Sequence, residues 1–320
     1  MSANIFGERF KLISFGESHG PAYGVVIEGM PSNIQIDQQL LIQNMQRRRP
    51  GQGDHTTGRQ EHDLPEILSG VFEGKSLGTP ITVIVRNSDQ RSGDYDQIKL
   101  NPRIGHADDV WKNKFDHVDH RGGGRSSGRE TVCRVIAGSF AQMIFKSAEL
   151  KTEVTAFAEQ IGPHKLTQAT ELPENIKSFL STAKLEGESY GGIVKCRIKN
   201  APQNLGQPVF HKLKADLAAG MMGLGAVEGF EFGAGFAAAS MKGSDFHSVS
   251  DSENYGGIRG GISTGDEIIF RIAFKPTASI TDIAKKGRHD PCIIPRALPV
   301  VEAMAWCVLA DHWLWMRTDK

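Results

Sequence analysis

"HRGGGRSSGRETVCRVIAGSFAQMIFKSAEL", residues 120–150, runs from a loop of glycine, arginine and serine straight into a long apolar stretch. Its apolar spacing predicts a helix around Val135. Short β-rich runs lie on both sides, several alternating polar and apolar positions: "FKLIS" from Phe10, "YGVVIEGM" from Tyr23, "TPITVIV" from Thr79, "TEVTAFA" from Thr152, "GGIVKCRI" from Gly191 and "DEIIFRIAF" from Asp266. Further helices are predicted over "IDQQLLIQNMQRRR" after Asp37, over "KLKADLAAGMMG" around Leu217, and over the C-terminal run after Pro299. Strict alternation of strand and helix is missing, and several strands follow one another across glycine turns. The expected class is therefore α+β rather than a doubly wound parallel sheet. The polar segment "IGPHKLTQATELPENIK" from Ile161 reads as an excursion within one large domain, residues 1–320.

Composition removes several function classes. The 37 basic side chains match the 37 acidic ones, so no global field points to nucleic acid or an anionic membrane, and any anion site must be local. Cys133, Cys196, Cys292 and Cys307 are far apart and form no CxxC pair, which argues against zinc and fits a reducing cytoplasm. Glu8, Arg9 and Lys11 stand where an export signal would need its apolar run. The most apolar stretch, "ALPVVEAMAWCVLADHWLWM" from Ala297, carries Glu302, Asp311 and His312 and reads as a buried helix rather than a bilayer span.

The glycines cluster with arginine, serine and histidine in "RRRPGQG" from Arg47, "RIGHADD" from Arg103, the loop of residues 120–131, and "GGIRGGISTGDE" from Gly256. Glycine lets main-chain amides approach a ligand, and arginine offers a fork of donors to phosphate or carboxylate. These clusters read as anion cradles, the loop before the Val135 helix most strongly because a helix N-terminus favours an anion. The competing reading there is a solvated loop with Ser127 as helix cap. For "RRRPGQG" it is a solvated last turn whose arginines complement the helix dipole.

Among the histidines, His19 in "SFGESHG" from Ser14 and His106 in "RIGHADD" are the candidates for proton transfer. His117, Asp119 and His120 in "HVDH" are close together, but no paired ligand motif backs a metal, and none is expected. "GLGAVEG" from Gly223 follows a helical pattern with the wrong last spacing for a dinucleotide fingerprint, and "GVFEGKS" from Gly70 is one residue short of a P-loop. "KGRHDP" from Lys286 is a turn signal.

Together "GESHGPAYGVVIEGMP" from Gly16, "GGRSSGRETVCRVIAGSF" from Gly123 and "RHDPCIIPRALPVVEAM" from Arg288 resemble, in order, the three signature segments of the chorismate synthase family. "RRRPGQG", "DQRSGDY", "GHAD", "GGISTG" and "KPTASI" fall between them as in that family. The resemblance implies a β-α-β sandwich, a homotetramer, and a lyase of aromatic amino acid biosynthesis that uses reduced FMN. Its reaction would convert 5-enolpyruvylshikimate 3-phosphate to chorismate by anti 1,4-elimination of phosphate and the C6 proton.

Carried over by matching motif, His19 protonates the departing phosphate, His106 protonates reduced flavin at N1, and Asp290 relays a proton with flavin N5, with Ser18 and Ser127 near that relay. Flavin positions are Arg125, Ser126, Ser127, Gly225, Ala226, Gly260, Lys275, Pro276, Thr277, Ala278, Ser279 and Arg288; Arg48, Arg103 and Arg129 match the substrate site. In "SFGESHG" the glycines would let the backbone come close to the substrate, and Glu17 has no assigned role.

Three departures stand out. Asp54 occupies a position where many members carry arginine, associated with NADPH or substrate anions; Gly225 replaces a frequent asparagine; and the loop before "GRHDP" is short. NADPH is thus an external reductant whose use is open. The readings of another class are a non-catalytic binder of flavin or a phosphorylated ligand, which has no reason to keep His19, His106 and Asp290 with every arginine, and a flavin oxidoreductase, which lacks a dinucleotide motif.

Overall fold

The computed structural model describes residues 3–49, 63–87, 105–248, 253–278, 280 and 290–319. The first seven strands and first helix are β1 (Ile5–Phe6), β2 (Lys11–Phe15), β3 (Ala22–Glu28), α1 (Gln38–Arg48), β4 (Pro65–Ile67), β5 (Val71–Phe72), β6 (Lys75–Ser76) and β7 (Ile81–Arg86). Next come α2 (Asp108–Phe115), α3 (Thr131–Ser147), β8 (Glu153–Ile161), β9 (His164–Ala169), α4 (Glu174–Glu186), β10 (Gly192–Lys199), α5 (Leu213–Met222) and β11 (Val227–Phe232). A one-turn α6 (Gly243–Phe246), β12 (Ile258–Arg259), β13 (Ile262–Ser263), β14 (Ile268–Phe274) and α7 (Ile294–Met316) complete the order.

Two antiparallel sheets result, β1-β2-β3-β7-β4 and β11-β14-β10-β8-β9. Period-two alternation sends Tyr23, Val25 and Ile27 of β3, with Ile81, Val83 and Val85 of β7, to full burial on one face. In the second sheet Val194, Cys196 and Ile198 face inward beside Ile268, Phe270 and Ile272. Between the sheets lie α3 and α7, and both are buried on nearly every side. The buried side chains form one continuous core, each large one contributing roughly 1.5–3 kcal/mol. This is the α+β, β-α-β sandwich that the resemblance implied.

The helices cross closely. A methyl group at Gly138 of α3 would come within 2.5 Å of both Cα and Cβ of Ala303 in α7. Beyond that crossing Phe145 packs edge-on against Trp306, with centroids 5.2 Å apart. Helix α7 is long and apolar enough to cross a bilayer, yet 89% of its most apolar window is buried inside the protein, so it is the core helix that its charged residues indicated.

Three local expectations need correction. Helix α7 starts at Ile294, ahead of Pro299: Pro295 occupies the first turn, where its missing N–H is lost anyway, and Pro299 removes only the bond to the Pro295 carbonyl. The polar segment from Ile161 is not an excursion; it turns tightly at Gly162 into edge strand β9 and then forms α4. Of the arginines ending α1, Arg47 is exposed as a solvated turn requires, but Arg48 is not. Arg47 grips Glu302 of α7, whose Oε1 also accepts from the Ala156 amide at 3.0 Å, and Arg48 is fully buried.

The Gly138 contact yields a direct test. Gly138→Ala should lower unfolding free energy by about 1–3 kcal/mol through overpacking, read as a lower urea midpoint with unchanged slope. An unchanged midpoint would mean that the helices can separate freely.

Candidate active site

The N-terminal ends of α3 and α7 and the C-terminal end of α5 open onto one cavity of about 730 Å³. Its cationic lining is Arg48, Arg125, Arg129, Arg134, Lys275 and Arg296, against the carboxylates Glu130 and Asp290. Trp111, Phe274, Pro276, Leu224 and Val300 supply apolar wall. A chain with no net charge has thus concentrated positive charge where two helix N-termini also favour anions.

The loop of residues 120–131 builds one wall. Gly122, Gly123 and Gly124 adopt φ of +61°, +81° and +52°, a succession open to glycine at little cost, so the chain makes an irregular, kinked turn over Arg121–Ser126 and then a short 3-10 turn over Gly128–Glu130. A side chain at Gly122 is also excluded by contact, since a methyl there would lie 2.4 Å from His19 Cδ2 and 2.5 Å from Ser18 Oγ. Ser127 caps the second turn, accepting from the Arg129 amide at 3.4 Å, so the capping alternative coexists with the cradle. Arg125 donates to the carbonyls of Gly16 and Ser14 and to Ser14 Oγ at 2.6 Å, while its residue still lines the cavity.

Arg48 and Arg129 are 1% and 6% exposed and share one carboxylate: Asp63 Oδ2 lies 3.0 Å from Arg48 Nη1, and Asp63 Oδ1 lies 2.9 Å from Arg129 Nη1. Arg48 Nε also donates to Thr131 Oγ1 at 3.2 Å. Asp63 thus holds both guanidiniums in place, and both arginines line the cavity. Opposite, Asp290 is paired with Arg296, and Thr277 Oγ1 donates to the Asp290 carbonyl at 3.2 Å.

Of the sequence-derived residues, His106, Asp290, Ser127, Arg125, Ser126, Gly225, Ala226, Lys275, Pro276, Thr277, Ala278, Arg48 and Arg129 all line this cavity. Ser18 and His19 do not line it; both are buried behind Gly122, which does. Ser18 Oγ is buried without a hydrogen-bond partner among the described residues, an arrangement that costs free energy until a polar group meets it. In this bend only Gly16, at φ +94°, needs the left-handed region; Gly20 has ordinary room for a Cβ, so close approach does not explain both glycines.

Gly260 sits at the β12–β13 turn, away from the cavity lining. Arg103, Ser279, Arg288 and Asp54 lie outside the described residues, as does most of the loop before "GRHDP". "GLGAVEG" leads from α5 into β11, the reverse of a dinucleotide turn, and "GVFEGKS" is the β5–β6 hairpin. In "HVDH" the Asp119 carboxylate is bound by Arg121 at 2.8 Å, a hydrogen bond that holds it below the usual carboxylate range.

Burial pushes the Cys133 thiol up to about 12 and raises the Tyr23 phenol as well, so neither titrates near neutrality. Sequence reasoning missed Asp63, Asn87, Arg134, Arg296 and Trp111. Arg296 stood inside a quoted motif, and only its position in the first turn of a buried helix could have marked it.

The chorismate synthase family model matches residues 10–314. The chain is 55% identical to the chorismate synthase of Bdellovibrio bacteriovorus over 341 aligned residues, covering 100% of both, and 44% identical to that of Opitutus terrae, covering 97% and 96%. Its fold matches a crystal structure of chorismate synthase with a TM-score of 0.76 at 27% identity, covering 97% of this chain and 93% of that one. A fold, a cationic cavity and a full-length sequence match therefore agree: the chain belongs to the chorismate synthase family and is a lyase acting on a small molecule.

Proposed function

We propose that this cavity converts 5-enolpyruvylshikimate 3-phosphate to chorismate and phosphate by anti 1,4-elimination in the presence of reduced FMN. The observation that carries the reading is the concentration of Arg48, Arg125, Arg129, Arg134, Lys275 and Arg296 around one cavity, a cationic setting suited to a phosphate or carboxylate. The residues also fit a flat aromatic group with an anionic tail. Trp111 and Pro276 offer apolar surface, Arg125 offers positive charge and Ser127 a hydroxyl donor beside Ser126, and a methyl at Gly225 would meet nothing within 4 Å, so the main chain there is open.

When bound, reduced flavin supplies electron density to the substrate and a site for its C6 proton. Around it, Lys275–Ala278, Gly225 and Ala226 would hold the ring and Arg125 the tail. Asp290, set by Arg296, would relay a proton through its carboxylate, His106 would hold one at its imidazole, and His19 would deliver one to the departing phosphate oxygen. Ser18 Oγ would orient that transfer. Ser279, Arg288 and Arg103 belong to the same proposal, as does Gly260, for which a neighbouring subunit of a homotetramer would be needed to bring it to a cavity. Leu64, Leu68, Phe72 and Leu77 are more than half exposed, which supports a subunit contact and is checked by sedimentation velocity. Four buried free thiols support a cytoplasmic setting.

The test is anaerobic: purified protein, substrate and chemically reduced FMN should yield chorismate and one phosphate without net flavin oxidation. Absence of product under these conditions would end the proposal. With oxidised FMN and NADPH instead, turnover should be much slower, because Asp54 replaces a cationic contact for the nucleotide; equal rates in the two assays would refute that part.

Two substitutions separate binding from proton transfer. His106→Ala should lower kcat by about 10²–10⁴-fold with a small change in KM, as expected for a group used in the barrier. Asp63→Asn should chiefly raise KM, by about tenfold or more, since a charged hydrogen-bond partner worth about 1.5–3 kcal/mol no longer fixes the two arginines. Reversal of this split would misassign both residues.

A further inference from the structure

Asn87 immediately follows β7 and is half-buried, and both ends of its carboxamide are in use. Oδ1 accepts from Arg129 Nε at 2.8 Å. Nδ2 donates to the Gly20 carbonyl at 2.7 Å and faces the carbonyls of Glu17 and Ser18 at 3.3 Å each. The Asn87 backbone amide adds a bond to the Pro21 carbonyl at 3.1 Å. A guanidinium on one side and three carbonyl oxygens on the other fix the amide's orientation, because the flipped form would set N–H against N–H and oxygen against oxygen.

We infer that Asn87 is a positioning residue that ties the bend carrying Ser18 and His19 to the anion-binding Arg129. Arg129 is held on its other side by Asp63 at 2.9 Å, so the guanidinium is a fixed point, and Asn87 transfers that fixity to the bend. The opposite side of the bend meets the glycine loop, where the Ser18 amide donates to the Gly124 carbonyl at 3.3 Å and Gly122 lies against the His19 ring. Without the Asn87 side chain, three carbonyls that converge on one donor lose it together, and the bend loses its tie to Arg129. A displacement of about 1 Å in a proton donor is enough to slow the step it serves by about 10²-fold.

This inference rests on the reading of His19 as proton donor to the departing phosphate, and the experiment separates the two. With 5-enolpyruvylshikimate 3-phosphate and reduced FMN, kcat and KM are measured for the native protein, His19→Ala, Asn87→Ala, Asn87→Asp and the double variant H19A/N87A. Asn87→Asp keeps the volume and an oxygen for Arg129 but gives the bend no donor, so it carries the test if Asn87→Ala does not fold.

Both Asn87 variants should lower kcat by about 10²-fold. The double variant should be as slow as His19→Ala alone, within about twofold, because a residue acting through His19 has nothing left to act through. Full kcat in both Asn87 variants, or losses that multiply in the double variant, would overturn the inference while leaving the role of His19 intact. Full kcat in His19→Ala would overturn the reading of His19 and the inference with it.

Discussion

The crossing of α3 and α7 at Gly138 and Ala303 sets the geometry on which everything else depends. Because the contact is backbone to backbone, the two helices form a thin central layer, and each sheet can pack against it from outside with small and branched side chains. The same crossing brings the N-terminal ends of both helices to one cavity. One end presents Arg129, Glu130, Thr131 and Arg134, and the other presents Ile293, Arg296, Ala297 and Val300. Fold stability and anion binding are thus consequences of one packing constraint.

Burying two arginines on one carboxylate costs desolvation energy that the pairing only partly offsets. Asp63 even adopts φ +43° to stand between them, outside the usual region for a residue with a side chain. The folded core tolerates this because it is large: both sheets and five helices share one apolar cluster. Held in place in a poorly hydrated setting, these guanidiniums interact with an anion more strongly than the same arginines would in water. A local stability cost has become binding energy.

The strands and the central helices were legible in the sequence because burial imposes period two on β3, β7 and β10 and nearly continuous apolarity on α3 and α7. Local chemistry was legible where it is local, as in the glycine run of residues 122–124. The errors share a physical origin. Proline read as a boundary placed the start of α7 too late, since the first turn of a helix can spare the N–H. Polar composition hid β9 and α4, which are partly exposed and so carry a weak pattern. The motif alone also admitted a solvated last turn for Arg48, because nothing near it in sequence shows Asp63, its partner across fifteen residues. The grouping of His19, His106 and Asp290 into one reaction came from family resemblance, and no spacing could have supplied it.

Why Ser18 and His19 sit behind a glycine rather than openly on the cavity wall follows from the same economy of space. Gly122 is the thinnest wall a polypeptide can build, and its left-handed φ turns the chain so that the imidazole meets the Cα side of the residue. A side chain there would collide with the histidine, and an open wall would hydrate it. At Gly122 the loop therefore buries the imidazole without placing a side chain of its own between it and the cavity. Gly124 answers to a different constraint: a methyl there would lie 2.5 Å from the Asp119 carbonyl oxygen, and its φ of +52° also disfavours a side chain.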